Sequence, residues 1–395
     1  MNPVHPFRLL LASRFLGASF LLLFAGLPWR AFAQLSTVEH LARPGFWPTQ
    51  VNHSSADFVG QTVCAKCHAD IAVAQKSTPM AHTVSRVAET ETLRLHPQLN
   101  FRQGHFKYEI ASSAVGSTYT VTDGTRSLSV PLVWAFGDGQ VGQSYLYLLN
   151  GSWYEARATF FGTLGNLHFT PGRALISPHD LDEAMSRPVS KPDVVRCFKC
   201  HATGVTSEYS VDTKTLFPGI SCEACHGPGG QHVAAIEAQI LQTGAPSDDT
   251  GRHLVFNPRE LDAADSVDFC GACHSTSWDV RLSRSTGIAT LLSPPYRLQK
   301  SKCWAKGDSR LACIACHDPH ATRERRSEAY DTKCLACHAS AASSGSTADH
   351  PGRACTVAKT KCVSCHMPKV ENPDFHYAFT DHDIRIVPPD EAFPP

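Results

Sequence analysis

The pattern Cys-x-x-Cys-His recurs seven times in this chain, and no other feature constrains its fold so tightly. The copies are Cys64, Cys67 and His68; Cys197, Cys200 and His201; Cys222, Cys225 and His226; Cys270, Cys273 and His274; Cys313, Cys316 and His317; Cys334, Cys337 and His338; and Cys362, Cys365 and His366. Two thiols at this spacing can form thioethers to the two vinyl groups of one porphyrin, and the next histidine then lies beneath its iron as the proximal ligand. A single C-x-x-C would also suit a redox pair, half a zinc site or a disulfide. Seven copies, each followed by histidine, do not suit them, and zinc would need the motifs in pairs. The expected cofactors are seven covalently attached c-type haems.

The N-terminus agrees with that chemistry. Arg8 and Arg14, an apolar run from Phe15 to Leu27 and the small-residue site Ala31-Phe32-Ala33 read as a secretory signal peptide over 1–33. The run is shorter than the ~20 residues a spanning helix needs, and no later segment is long or apolar enough to span. The mature chain is therefore expected to be exported, to the periplasm or beyond the cell, with no transmembrane segment.

Lys plus Arg and Asp plus Glu both number 36. Cleavage would remove Arg8, Arg14 and Arg30 and no acid, and every haem adds two propionates, so the holoprotein should be acidic. Nothing points to nucleic acid. The basic run Arg323 to Arg326 reads as a solvated face, with pairing to propionates as the alternative.

The motifs are unevenly spread. A long stretch separates His68 from Cys197, and the later motifs follow closely, with no fixed period. From Phe106 to Phe161 the sequence is rich in aromatic and β-branched residues in alternating runs, with Asp123-Gly124 and Asn150-Gly151 where two-residue hairpin turns would fall. Trp134, Phe136, Tyr145, Trp153 and Tyr154 read as its core. Further on, the run from His232 to Gly244 reads as a short amphipathic helix closed by glycine. The expected fold is a mainly α and irregular multihaem cytochrome with a small antiparallel β module between haem 1 and haem 2. Its parts are the signal peptide, an N-terminal segment with haem 1 (34–100), the β module (101–165) and a haem-dense region with haems 2 to 7 (166–395).

The sixth ligand of each iron decides between carrier and catalyst. Methionine is scarce, with only Met80, Met185 and Met367 after the signal, whereas histidine is abundant. Bis-histidine coordination is the expectation, and with it low potentials. In CIACHDPH (313–320), His320 cannot serve the iron above His317. Three residues reach at most ~11 Å, too little to carry the chain round the porphyrin edge. If His320 binds iron, the iron belongs to another haem close by.

The strings PMAH (79–82), CFKCH (197–201), GISCEACHGPGGQH (219–232), FCGACH (269–274), CIACHDPH, CHMPK (365–369) and FTDHDIRI (379–386) together resemble a family of exported multihaem cytochromes. That family lies within the hydroxylamine oxidoreductase and tetrahaem cytochrome superfamily. FGDGQVGQSY and WYEAR in the β segment extend the likeness. The resemblance implies His82, His232, His320, His382 and His376 as distal ligands. His350 is a further candidate, and His105, His168 and His179 compete for what remains. Seven irons against five or six such histidines leave room for one five-coordinate iron. Cys303 and Cys355 remain; in an oxidising compartment a disulfide is their simplest use, the resemblance supports it, and a redox or metal role is the alternative.

The expected function is electron transfer along closely packed haems between an unidentified donor protein and an unidentified acceptor protein. One competing reading is an oxidoreductase acting on a small nitrogen or sulfur compound, hydroxylamine or nitrite for example, at one open iron. Another is a haem-bearing docking subunit of a larger redox complex.

Overall fold

The alternation seen in the sequence becomes two antiparallel sheets sharing one core. The computed structural model describes residues 49–51, 53–172, 177–247, 251–304, 310–338, 355–388, 391 and 393. The expected signal peptide and His350 lie outside these.

The first sheet is a meander of β2 (Gln98–Gln103), β3 (Phe106–Ser113), β4 (Gly116–Thr122) and β5 (Ser127–Pro131). Side chains of a strand alternate faces, so Phe106, Tyr108 and Ile110 of β3 and Tyr119 and Val121 of β4 all point one way and are buried. The second sheet has the order β1 (Val84–Arg86), β6 (Trp134–Phe136), β7 (Gly142–Leu149), β8 (Ser152–Ala156) and β11 (Ser186–Pro188). Off this path β9 (Ala158–Phe161) pairs with β7, and β10 (Asn166–Phe169) pairs with β9. Tyr145, Tyr147, Phe160 and Phe169 of this sheet join the buried residues of the first in a single cluster.

The second sheet is buried on its other face as well, and that face positions a motif. Ala135 faces the shared core, so its neighbour Trp134 faces away, where it packs with Val84, Leu146, Val194 and Phe198. Phe198 is the second residue of CFKCH. The sheet thus seats the helix Lys191–His201, which carries the second motif.

Asn150-Gly151 forms the expected two-residue turn, Leu149 facing Ser152, with φ of 51° and 78°. At Asp123-Gly124 the loop is four residues long. Thr122 pairs with Ser127, because the Asp123 carboxylate accepts from the Thr125 and Arg126 amides and closes a wider turn. Trp134 and Tyr145 are fully buried, whereas Phe136, Trp153 and Tyr154 are half-buried at the sheet surfaces.

Strands also form where none was expected. β1 and β11 flank the second sheet from outside its aromatic run. β12 (Ala202–Thr203) pairs with β13 (Phe217–Pro218) after the second motif, and β14 (Lys369–Asn372) with β15 (Tyr377–Thr380) after the seventh. The helix Gly230–Thr243 ends on Gly244 in the left-handed region, as read, but buries no residue and leaves Leu241 exposed. Among the described residues, no helix is long and apolar enough to cross a membrane.

Candidate functional site

Each motif lies on or at the end of a short helix. These are Gln61–Cys64, Lys191–His201, Cys222–His226, Ala263–His274, Cys313–Cys316, Asp331–His338 and Cys362–His366. On a helix, residues three apart share a face, so the two thiols of a motif project together with the histidine next to the second.

The histidines test whether these sites suit iron. His201 Nδ1 lies 2.9 Å from the Thr83 carbonyl oxygen, His226 Nδ1 2.8 Å from that of Phe256, and His366 Nδ1 2.9 Å from that of Arg385. A carbonyl can only accept, so Nδ1 carries the proton and Nε2 keeps its lone pair for a metal. Burial holds the pKa of His201, His226, His274 and His317 below the ordinary imidazole value, which favours the neutral, ligating form. The residues present therefore fit c-type haem.

Sulfurs of different motifs meet in pairs. Cys64 hydrogen-bonds Cys222, which raises the Cys64 thiol pKa and lowers that of Cys222 to about 7. Cys270 and Cys313 are bonded in the same way, lowering the first and raising the second. Cys273 Sγ donates to the Cys200 carbonyl at 3.7 Å, and the two thiols are also in contact. Cys334 lies against Cys362, and burial followed by that neighbour pushes Cys334 up to about 12. Cys225 is near enough to Cys273, and Cys337 to Cys316, to disfavour their thiolates.

Two carboxylates inside the motif helices hold neighbouring motifs together. Glu223 of CEACH is buried; its Oε2 accepts from Gly60 N at 2.7 Å, and its Oε1 from Val59 N at 2.9 Å and Gly229 N at 2.8 Å. Gly60 is the N-cap of the helix Gln61–Cys64, so a negative charge from the third motif meets the orphan amides that open the first. Asp331, at the start of the sixth motif's helix, accepts from Lys361 N at 2.7 Å and Cys362 N at 2.9 Å, where the seventh motif begins.

The expected distal histidines are placed differently from one another. His320 stacks opposite His226, ring centroids 6.0 Å apart and planes 12° from parallel. His382 faces His317 at 6.2 Å and 44°, its Nδ1 donating to the Thr380 carbonyl at 3.0 Å. His232 presents Nδ1 to the Gly251 carbonyl at 2.9 Å, which frees Nε2. His82 closes the turn Pro79–His82, and its Nε2 meets the Lys76 carbonyl at 2.9 Å. That turn packs so closely on Gly219, whose φ is 79°, that any Cβ there would strike the Ala81 carbonyl. His376 Nε2 lies 3.1 Å from His168 Nδ1.

Of the other candidates, His105 packs on Phe106, and the His179 amide donates to Glu183. Of the two cysteines expected to form a disulfide, Cys303 is half-buried and Cys355 exposed. Cys355 is exposed, with its sulfur accepting from Ala358 N at 3.5 Å in its own loop, and Cys303 lies close enough to Cys316 to disfavour that thiolate. Arg326 is exposed and pairs with Glu324 at 2.9 Å. Met185 is buried in the shared core of the sheets.

Sequence reading missed Glu223, Asp331 and the carbonyls of Thr83, Phe256 and Arg385. A glutamate inside a C-x-x-C was the one visible signal among them. Backbone acceptors leave none.

A model of the family described as cytochrome c554 and c-prime matches residues 177–227, which hold the second and third motifs. The multiheme cytochrome MtrA of Shewanella baltica (strain OS185) is 25% identical over 166 residues, 40% of this chain and 45% of that protein. The crystal structure of the outer cell wall cytochrome OcwA aligns at a TM-score of 0.30 and 17% identity, covering 56% of this chain and 38% of that one. The chain thus spans less than half the length of either protein. The repeated motif is the attachment signature of c-type haem, and the family model and the likeness to MtrA agree with it.

Proposed function

We propose that the chain is an exported heptahaem electron-transfer protein in which most irons are held by two histidines. The observation that carries this is the pairing of a motif histidine with a histidine that lies outside the motifs. Two rings bound to opposite sides of one metal at about 2.0 Å through nitrogen have centroids roughly 6 Å apart. The 6.0 Å of His226 and His320 and the 6.2 Å of His317 and His382 match that span. On this reading His320 is the distal ligand of haem 3 and His382 that of haem 5. His232, with Nε2 free, would serve a further iron, and His82, whose Nε2 is held by the Lys76 carbonyl, would serve another through Nδ1.

Bound haem supplies reversible one-electron chemistry, and the protein sets its spacing and potential. The sulfur contacts support an order in which haem 1 adjoins 3, then 4, 5, 6 and 7 follow, with haem 2 joining at haem 4. The carboxylates of Glu223 and Asp331 fix two of these junctions, 1 with 3 and 6 with 7. Donor and acceptor proteins would meet the chain at its exposed ends. Export is supported by the N-terminal leader, and membership of the hydroxylamine oxidoreductase and tetrahaem cytochrome superfamily by the motif strings.

The bond between His376 and His168 favours a second reading for one iron. With His376 held there, one further iron is left without a distal histidine, open to a small nitrogen or sulfur compound. The intact mass and a reductive titration test both readings. A carrier gains seven haems, takes up seven electrons and turns over neither hydroxylamine nor nitrite. Fewer haems would overturn the count, and turnover with a ligand-sensitive high-spin signal would favour the enzyme.

A further inference from the structure

The segment Thr380–Arg385 touches two haem sites, and a buried ion network pins it between them. Arg297, on the helix Pro294–Gln299, is 1% exposed and Asp381 0%. Arg297 Nε and Nη2 each donate to the Asp381 carboxylate at 2.8 Å, a two-pronged pairing only a guanidinium can make. Arg385 Nη1 adds a third bond to Asp381 at 2.6 Å, and Asp383 N a fourth at 3.0 Å. Asp383 also faces Arg297 at 3.5 Å, and Arg385 Nε lies 3.6 Å from Glu391, so the Arg297–Asp381 pair is buried at the centre of a network whose edge reaches the surface.

One edge of the segment is tied to the loop after the helix. Ser301 Oγ accepts from Ile384 N at 2.8 Å and donates to the His382 carbonyl at 3.3 Å. The other edge is tied to the seventh motif. Asp381 N donates to the Pro368 carbonyl at 2.9 Å, Arg385 N to the His366 carbonyl at 3.2 Å, and His366 Nδ1 to the Arg385 carbonyl at 2.9 Å. Between these anchors His382 is turned toward His317.

We propose that Arg297 is a positioning residue for two haem sites at once: through Asp381 it locks Thr380–Arg385, so that His382 faces His317 while the Arg385 carbonyl holds His366. The inference rests on the bis-histidine reading of haem 5 and goes beyond it. The geometry couples the sixth ligand of one haem to the fifth ligand of another through one backbone segment. Displacing that segment should disturb both sites together, although neither histidine has been altered.

The test uses the mature holoprotein. In Arg297→Met all seven haems should remain attached, because the cysteines are untouched. One iron should gain high-spin character in electron paramagnetic resonance, and the potentials of two haems should shift. Arg297→Lys keeps the charge and loses the fork, so it should recover part of the wild-type signal. Ser301→Ala, a milder change to the same segment, should alter the low-spin g values of one haem; if Arg297→Met does not fold, this variant and Arg297→Lys decide. A lowered melting temperature with unchanged spin states and potentials in the folded variants would overturn the proposal. His382→Ala separates the two levels. If it leaves every spin state unchanged, the bis-histidine reading of haem 5 fails; if it yields a high-spin iron and the Arg297 variants do not, only this inference fails.

Discussion

At the residue scale the second histidine of CIACHDPH has a partner it could not have declared. The sequence showed that His320 is barred from the iron of His317, because the link between them is too short. It could not show that His226, in the third motif, is the ring opposite, since that meeting depends on how whole segments pack. The prediction follows that His320→Ala keeps seven haems and converts one iron to high spin, that of haem 3; resonance Raman spin markers read it, and an unchanged low-spin spectrum contradicts it. His168 offers a second case. Burial, then the neighbouring His376, hold its pKa below the ordinary 6.5. Because the folded value is depressed, the contribution of the neutral His168 ring to stability is complete above 6.5 and is lost as pH falls through the folded value. In an NMR titration His168 should take its proton at lower pH than exposed histidines, and His376→Gln should raise its pKa part of the way back. Titration at or above 6.5 would contradict this.

At the element scale, what was legible is what is periodic. β3 and β4 were readable because one face of each is buried and the other is not. β1, β11, β14 and β15 are three or four residues long, and their strand character comes from partners distant in sequence. The helix at Gly230–Thr243 was readable from its apolar spacing and closing glycine, but burial of that face was not, because burial is decided by what lies opposite. The clasp made by Glu223 belongs to this scale, since it joins one motif helix to the start of another. In Glu223→Gln one carboxylate oxygen becomes an amide that cannot accept, which leaves a buried backbone amide of the Val59–Gly60 segment without its partner. Hydrogen bonds to a charged group contribute about 1.5–3 kcal/mol, so a loss of that order in unfolding free energy is expected by denaturant titration of the holoprotein. No loss would show that the clasp does not hold the first and third motifs together.

At the scale of the whole molecule, the repeated motif points to the kind of cofactor, and the scarcity of methionine is what carries the proposed ligand class. The proposed succession of haems could not be read in the sequence, because it rests on which cysteines meet: Cys64 with Cys222, Cys270 with Cys313, Cys334 with Cys362. None of these encounters is written in spacing. Haems so placed would repel one another's added charge, and the proposed bis-histidine ligation would lower their potentials relative to histidine–methionine haems. The reductive titration should therefore be broad and lie mostly at low potential, whereas one steep wave at high potential would contradict it. The most direct test of the central claim is the near-infrared magnetic circular dichroism of the fully oxidised protein, which distinguishes bis-histidine, histidine–methionine and high-spin iron. The account predicts a spectrum dominated by low-spin bis-histidine haem with no histidine–methionine band; a spectrum dominated by high-spin iron, or by methionine ligation, would contradict it.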